Sequence, residues 1–253
     1  MIGWLSLTDE QRKATIDEAA RLSGINPKAI EKDWWVTLIL KALFECEYAP
    51  LMIFKGGTSL SKCWNLIERF SEDIDIALDP KAFSHEHKKN PTSGEVRRLK
   101  RAGCVFTSTL LKETLQKQLG FIGVLRGKIT IVPEAINDEM PDKDPQILFA
   151  TYISLYDPHL YLQDAVKIEV SVRSLMEPHR VQPTNSMLYQ YFPNPAYLEL
   201  PLNIASVEPR KTFLEKVFLL HEEFLKPEIA KIRVERMSGI CMTFPECLNG
   251  ESI

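Results

Sequence analysis

The sequence predicts an α+β fold in which a small mixed β-sheet is flanked by N-terminal and C-terminal helices. Apolar residues recur at helical spacing near both ends of the chain, whereas the middle holds short apolar or alternating runs of strand length. At 253 residues the chain can bury a sizeable core. We expect an N-terminal helical segment over 1–48, a core over 49–178, and a connective stretch with C-terminal helices over 179–253.

Two helices are predicted before the sheet, over residues 8–22 and 27–46. The second starts near Pro27, because proline suits the first turn of a helix. Its predicted buried stripe consists of Trp34, Trp35, Ile39 and Leu43. We therefore expect the chain to enter the sheet from a helical segment.

A strand, a glycine turn and a helix are predicted next. Residues 51–54 form an apolar run typical of a buried strand, which Gly56 and Gly57 end. Glycines lack Cβ atoms, so the backbone can adopt positive φ and a ligand can approach closely. Thr58 and Ser59 are good helix N-caps. The N–H groups at this helix start favour phosphate, to which either hydroxyl could add a contact.

Two aspartates follow at strand spacing. Asp73 and Asp75 alternate with apolar residues, so both side chains are predicted on one face of a strand. Two carboxylates this close repel each other by roughly 1 to 4 kcal/mol near a protein surface. A divalent cation removes that repulsion, and Mg²⁺ suits carboxylates combined with substrate phosphates. A double glycine alone is often only a tight turn, and an Asp-x-Asp sequence alone is usually the solvated face of a strand. The occurrence of both, in this order and with a helix between them, favours a metal and phosphate site.

These residues resemble a known family. Gly-Gly-Thr-Ser at 56–59, followed by Ser-Glu-Asp-Ile-Asp-Ile at 71–76, is similar to the minimal nucleotidyltransferase domain of the AbiEii/AbiGii toxin family, within the DNA polymerase β-like nucleotidyltransferase superfamily. Segments 30–36 and 210–216 resemble the same family. The resemblance implies a magnesium-dependent toxin that transfers NMP from a nucleoside triphosphate to RNA, such as the 3′ end of tRNA, or to a protein. It also implies a cognate antitoxin and a role in phage defence.

The resemblance further implies a third acidic residue on a neighbouring strand. Residues 165–172 alternate cleanly, with Lys167, Glu169 and Ser171 on one face. If this strand lies beside the aspartate strand, Glu169 completes the metal site or acts as a base toward the attacking hydroxyl. The simpler alternative is a solvated strand face with a Lys/Glu pair.

Three cations are candidates for binding the nucleotide. Lys216 lies on a predicted helix, and the resemblance implies that it contacts phosphate and offsets charge on the leaving pyrophosphate. Lys62 and Arg69 lie near the core motif and are further candidates for the same electrostatic task. Lysines on amphipathic helices are mostly solvated, and that alternative stays open for Lys216.

The remaining elements complete the predicted order. The stretch 80–94 is polar, and residues 178–209 are proline-rich and predicted to be connective. A long basic helix is predicted over 95–118, strands over 121–132, 147–156 and 163–173, and helices from residue 212. The chain thus supplies a sheet between helical ends.

The end of the chain departs from the family pattern. The family implies an Arg-His-x-x-Asp helix after a segment like 234–238, but residues 239–253 have neither helical periodicity nor that acid. We expect an interrupted reading frame that leaves a truncated, inactive or attenuated product. A natural variant in which other acids suffice is the alternative.

Composition limits the setting and leaves two rival functions. A net charge of −3 provides no global attraction to nucleic acid, and the five cysteines form no zinc or disulfide pattern. No secretory signal or membrane-length apolar stretch is visible, so we expect a cytoplasmic protein without a membrane partner. The rivals are a catalytically impaired nucleotide-binding or regulatory module, and a phosphohydrolase that uses water as acceptor.

Overall fold

The computed structural model describes residues 2–67, 71–136, 140–192 and 201–225. The chain divides into two compact units, Met1–Thr212 and Phe213–Ile253. All strands of the described sheet belong to the first unit. No helix among the described residues is both long and apolar enough to cross a membrane.

Three helices precede the sheet: α1 (Ile2–Leu5), α2 (Asp9–Ser23) and α3 (Pro27–Phe44). Local chemistry determines their ends. Thr8 and Gln11 form a capping box at the start of α2, and Asn26 caps α3, in which Pro27 takes the first position. The predictions of helices over 8–22 and 27–46 are confirmed to within two residues at each end.

Helix α3 is buried on nearly every side, including the charged residues of its first half. Buried charges need partners, and each has one. Lys28 pairs with Asp164 at 2.7 Å, and the Glu31 carboxylate accepts hydrogen bonds from the Ser154 hydroxyl at 2.6 Å and the Leu155 N–H at 2.9 Å. The helix is therefore an internal scaffold rather than an amphipathic surface helix.

Seven strands form one sheet in the order β3-β4-β5-β2-β1-β7-β6. The pairs β1–β7 and β2–β5 are parallel and the others antiparallel, so the sheet is mixed and the predicted α+β class is confirmed. The strands are β1 (Met52–Lys55), β2 (Ile74–Leu78), β3 (Ile129–Pro133), β4 (Gln146–Tyr152), β5 (Ala165–Ser171), β6 (His179–Thr184) and β7 (Leu202–Val207).

The other helices are α4 (Gly56–Lys62), α5 (Ser93–Phe106), α6 (Lys112–Ile122), α7 (Met187–Tyr191) and α8 (Pro209–Leu225). Short 3₁₀ turns cover Ala49–Leu51 and Pro80–Phe83, and a π-helical turn, Thr107–Leu111, joins α5 to α6. The helix predicted over 95–118 therefore continues to Ile122, where Gly123 caps it at φ 103°. The strand predicted from residue 121 begins only at Ile129.

The stretch predicted to be connective, 178–209, contributes strands β6 and β7 and helix α7. Proline content masked this strand signal. Pro183 lies in β6, which is an edge strand, and an edge strand tolerates a residue that lacks a backbone N–H. The correction matters because β7 lies directly beside β1.

The two faces of the central strands differ. One face contributes apolar side chains, such as Phe54, Ile76 and Ile168, to the main core that α3 shares. The alternate residues point to the other face, where the buried apolar cluster is small and consists of Ile53, Ala77 and Val207. This second face carries the predicted acidic residues.

Candidate active site

Strand pairing brings the acidic residues together. In the register of the sheet, Asp75 of β2 stands opposite Lys55 of β1 on one side and Glu169 of β5 on the other. Asp73 precedes β2 by one residue. Residues that stand opposite each other in adjacent strands point to the same face. The face away from the main core therefore presents Asp75 and Glu169 as direct neighbours.

The glycine turn lies against the Asp75 carboxylate. Gly56 has a φ of +78°, and a Cβ added to it would lie 1.9 Å from Asp75 Oδ2 and 2.7 Å from Asp75 Cγ. No real Cβ atom tolerates such a contact, so both the backbone conformation and the space require glycine. The turn and the aspartate strand thus form one structural unit.

Asp73 lies in a crowded electrostatic environment. Burial raises the pKa of its carboxyl above the ordinary value, and the negative charges of Glu72 and Glu169 raise it further. Lys167 and Lys32 act in the opposite direction. Burial is the main cause of the raised pKa and the two neighbouring carboxylates add to it, so an added cation would favour the ionised form of Asp73.

Lys167 places a positive charge beside these acidic residues. Its ammonium forms an ion pair with Glu169, two residues along the same strand. Burial lowers the Lys167 pKa, but the hydrogen bond to Glu169 and the charges of Glu169, Asp73 and Asp75 together raise it. The sequence offered one signal for this role, the shared strand face of Lys167 and Glu169, which also fitted a simple solvated pair.

The three predicted metal ligands do not form one preassembled set. Across the described parts of the chain, no three His, Cys, Asp or Glu side chains are grouped so that they could hold a metal ion. Glu169 is engaged by Lys167 instead. Asp73 and Asp75 are the other two acidic residues of this face.

The hydroxyls next to the glycine turn point into the protein. Thr58 Oγ1 and Ser71 Oγ share a hydrogen bond of 2.7 Å, and the Ser59 hydroxyl donates to the Gly56 carbonyl at 2.9 Å. Both Thr58 and Ser59 are buried. Contacts from this turn to a phosphate would therefore have to come from the backbone.

Lys62 is likewise committed to the fold. Its buried ammonium pairs with Asp33 Oδ1 at 2.6 Å and donates to Thr37 Oγ1 at 2.9 Å and to the Asn185 carbonyl at 3.3 Å. The other Asp33 oxygen accepts from the Met187 N–H at 2.7 Å. Lys62 thus ties α4 to α3, which is a structural role, and the nucleotide contact predicted for it stays a prediction.

The structure describes only one of the last two predicted cations. Arg69 lies outside the described residues. Lys216 is an exposed residue of α8, in the second compact unit, and the apolar residues predicted to form a stripe around it are also exposed. The exposed stripe consists of Phe213, Val217, Leu220 and Phe224.

Comparison with protein families decides the classification. Residues 38–233 match the family model described as nucleotidyl transferase AbiEii toxin, type IV toxin–antitoxin system. The chain belongs to the AbiEii family. The glycine turn and all three acidic residues lie inside the matched range, whereas segment 30–36 precedes it. Neither a curated protein nor a solved structure matches the chain.

Membership of the AbiEii family carries a general function. Its members are nucleotidyltransferase toxins of type IV toxin–antitoxin systems, so the family implies an antitoxin partner. The departure from the family pattern predicted at 239–253 lies outside the described residues.

Sequence reasoning missed a second lysine at this AbiEii site. Lys32 of α3 is buried and forms an ion pair with Glu72, the residue before Asp73. Its charge also lowers the Asp73 pKa. The sequence signals were that Lys32 lies among the charged residues in the first half of a largely buried helix and within segment 30–36, but the sequence does not identify the buried partner that such a residue needs.

Two described cavities lie elsewhere on the AbiEii chain. One of about 480 Å³ is lined by residues of the 85–99 stretch and by Arg173, and one of about 270 Å³ includes Asp33, Lys62 and Asn185. Neither lining includes Asp73, Asp75 or Glu169. The assignment of the site therefore rests on strand register and on the Gly56 contact, and not on a concave pocket.

Proposed function

We propose that this AbiEii-family chain transfers a nucleoside monophosphate from a nucleoside triphosphate to the hydroxyl of an RNA acceptor, with Mg²⁺ as the cofactor. One observation carries the proposal. The Asp75 carboxylate lies against the Gly56 turn and stands beside Glu169 across the strand pair. A carboxylate beneath a glycine turn, with a second acid as its neighbour, suits transfer chemistry at a phosphate group.

The acidic pair fits Mg²⁺. This ion is usually bound through one or two carboxylates together with substrate phosphates, and Asp73 and Asp75 supply two hard oxygen ligands. The surroundings of Asp73 support the fit, since a divalent ion would offset the negative charges of Glu72 and Glu169 that act on it. When bound there, Mg²⁺ would neutralise triphosphate charge and make the α-phosphorus more open to attack.

The residues of the chain divide the remaining tasks. The backbone of the glycine turn receives the β and γ phosphates, since the Thr58 and Ser59 hydroxyls have partners inside the protein. Glu169 orients the attacking hydroxyl and accepts its proton. A phosphate contact by Lys216 stays a prediction that rests on family resemblance alone.

A labelling experiment tests this function. The protein is incubated with each α-labelled nucleoside triphosphate, Mg²⁺ and total tRNA, and we expect label on RNA. Asp75→Asn keeps the shape of the side chain but removes its charge, so transfer should fall at least about a hundredfold. Asp79→Asn is the matched control, because Asp79 ends the same strand region and its carboxylate caps the turn Pro80–Phe83.

Three other results would indicate a different function or a different acceptor. Label that is bound but not transferred would indicate a nucleotide-binding module. Release of pyrophosphate with free monophosphate would indicate hydrolysis with water as acceptor, and label on protein would change the acceptor class. Wild-type transfer by Asp75→Asn would remove Asp75 from the mechanism altogether.

The proposed biological role is a toxin for phage defence, restrained by a separately encoded antitoxin. Expression of the chain alone should slow bacterial growth, and coexpression of the adjacent gene should restore it. Growth inhibition by Asp75→Asn equal to that of the wild type would separate toxicity from nucleotidyl transfer.

A further inference from the structure

The position of Lys167 bears on how many metal ions the site holds, an inference that rests on the proposed function. In the parallel pair of β2 and β5, Ile74 stands opposite Ile168 and Asp75 opposite Glu169. Lys167 and Asp73 both come one residue before the pair Ile74–Ile168. The ammonium of Lys167 therefore belongs to the same face as all three acidic residues, and it is paired with Glu169.

Charge balance explains why such a lysine matters. Three ionised carboxylates on one face carry three negative charges, and a single divalent ion would neutralise two of them. Lys167 pairs with Glu169 directly, so one of these charges is already neutralised from within the strand, and Lys55, which stands opposite Asp75, adds a further positive charge to the same face. A second divalent ion beside Glu169 would meet the ammonium at close range, and like charges repel strongly where water is partly excluded.

We propose that the Lys167 ammonium takes the place of a second metal ion beside Glu169, so that the site binds one divalent cation, at Asp73 and Asp75. This agrees with the finding that no three metal-ligating side chains are grouped among the described residues. It makes Lys167 a positioning residue. Its ammonium holds Glu169 in place for the acceptor hydroxyl, while the metal ion at Asp73 and Asp75 binds the nucleoside triphosphate.

A second lysine of this region has a different task. Lys32 is paired with Glu72, which is not one of the three proposed site acids. Lys167, in contrast, is paired with Glu169 itself, on the strand beside the one that carries Asp75. Of these two lysines, Lys167 is therefore the one placed to replace a metal.

Manganese binding to the full chain tests the proposal, with bound ions counted from the electron paramagnetic resonance signal of free Mn²⁺. The wild type should bind one ion tightly. Lys167→Met should bind a second ion at least about tenfold more tightly than the wild type does, because the competing ammonium is gone. Lys167→Arg keeps the charge and should behave as the wild type.

Lys143→Met is the matched control. Lys143 forms an ion pair with Glu134, and the exposures of these two side chains, 37% and 33%, are close to the 35% and 25% of Lys167 and Glu169. This variant should bind Mn²⁺ as the wild type does. If Lys167→Met does not fold, Lys167→Gln retains a hydrogen-bond donor to Glu169 without the charge and takes its place.

Two results would overturn the inference. One is a wild type that already binds two ions with comparable affinity. The other is Mn²⁺ binding that is the same in Lys167→Met and the wild type, including no binding to either. Asp75→Asn separates this outcome from failure of the proposed function, because wild-type Mn²⁺ binding by that variant would remove the proposed metal site whatever the Lys167 variants show.

Discussion

Replacement of Gly56 by alanine tests the contact on which the candidate site depends. The added Cβ would lie 1.9 Å from Asp75 Oδ2, and real Cβ contacts below 3.0 Å are essentially never seen, so the carboxylate must move by at least 1.1 Å. A displacement of about 1 Å at a reacting centre can lower a rate about a hundredfold. We therefore expect Gly56→Ala to lower nucleotidyl transfer by at least about a hundredfold.

The same substitution should also destabilise the fold. Alanine at a φ of +78° costs about 1–2 kcal/mol in backbone energy. Movement of Asp75 adds to that cost, so the free energy of unfolding should fall by about 2–3 kcal/mol. Urea denaturation followed by circular dichroism measures this change, and transfer of labelled nucleotide to RNA measures activity.

Gly24→Ala is the matched control for Gly56→Ala. Gly24 caps α2 at a φ of +72°, and a Cβ there would have no other atom within 4 Å. It should therefore lose about 1–2 kcal/mol of stability from the backbone term alone and keep its transfer activity. Full activity of folded Gly56→Ala, or a stability loss equal to that of Gly24→Ala, would refute the proposed contact with Asp75.

Three further predictions concern the scaffold. Gly103→Ala would place a Cβ 2.5 Å from Val172 Cγ1 and should lower the free energy of unfolding, measured with urea, by about 1–3 kcal/mol. Adding Val172→Ala should recover part of this loss. No recovery would contradict the contact. Lys62→Met leaves the buried partner of Lys62 uncompensated and should cost about 3–5 kcal/mol, whereas Lys41→Met, at an exposed pair, should cost less than about 1 kcal/mol. Glu31 is buried and burial raises its pKa above the ordinary 4.5. The contribution of Glu31 to stability is therefore complete below pH 4.5 and is lost as the pH rises through the higher pKa of the folded state. Glu31→Gln should reduce this fall in the free energy of unfolding with pH. An unchanged dependence of stability on pH would exclude Glu31 as its source.

The elements that the sequence predicted well depend on neighbouring residues. Helix α2 follows from the capping box of Thr8 and Gln11, and α3 from Asn26 and Pro27. The strand, glycines, helix and strand around Asp75 were also recognisable, because positive φ and period-two alternation act over a few residues. Such signals are complete within a short stretch of chain. The caps predicted at Thr58 and Ser59 were wrong, since α4 begins at Gly56 with Lys55 as its N-cap.

The elements that the sequence missed depend on distant partners. Strand β6 contains Pro183, and only its place at the edge of the sheet makes that residue acceptable. The structural contact of Lys62 was missed because Asp33, twenty-nine positions earlier in the chain, faces it inside the protein. No local pattern identifies such a partner.

In the candidate site, too, some features depend on neighbouring residues and others on distant ones. By itself the sequence determined that Asp73 and Asp75 follow a double glycine at alternate strand positions, since that spacing is a property of the backbone. Only the tertiary structure decided that β5 lies beside β2, that Gly56 touches the Asp75 carboxylate, and that Lys167 holds Glu169. The physical reason is that strand order and side-chain contacts arise from packing between segments far apart in the chain, where many pairings satisfy the same local pattern.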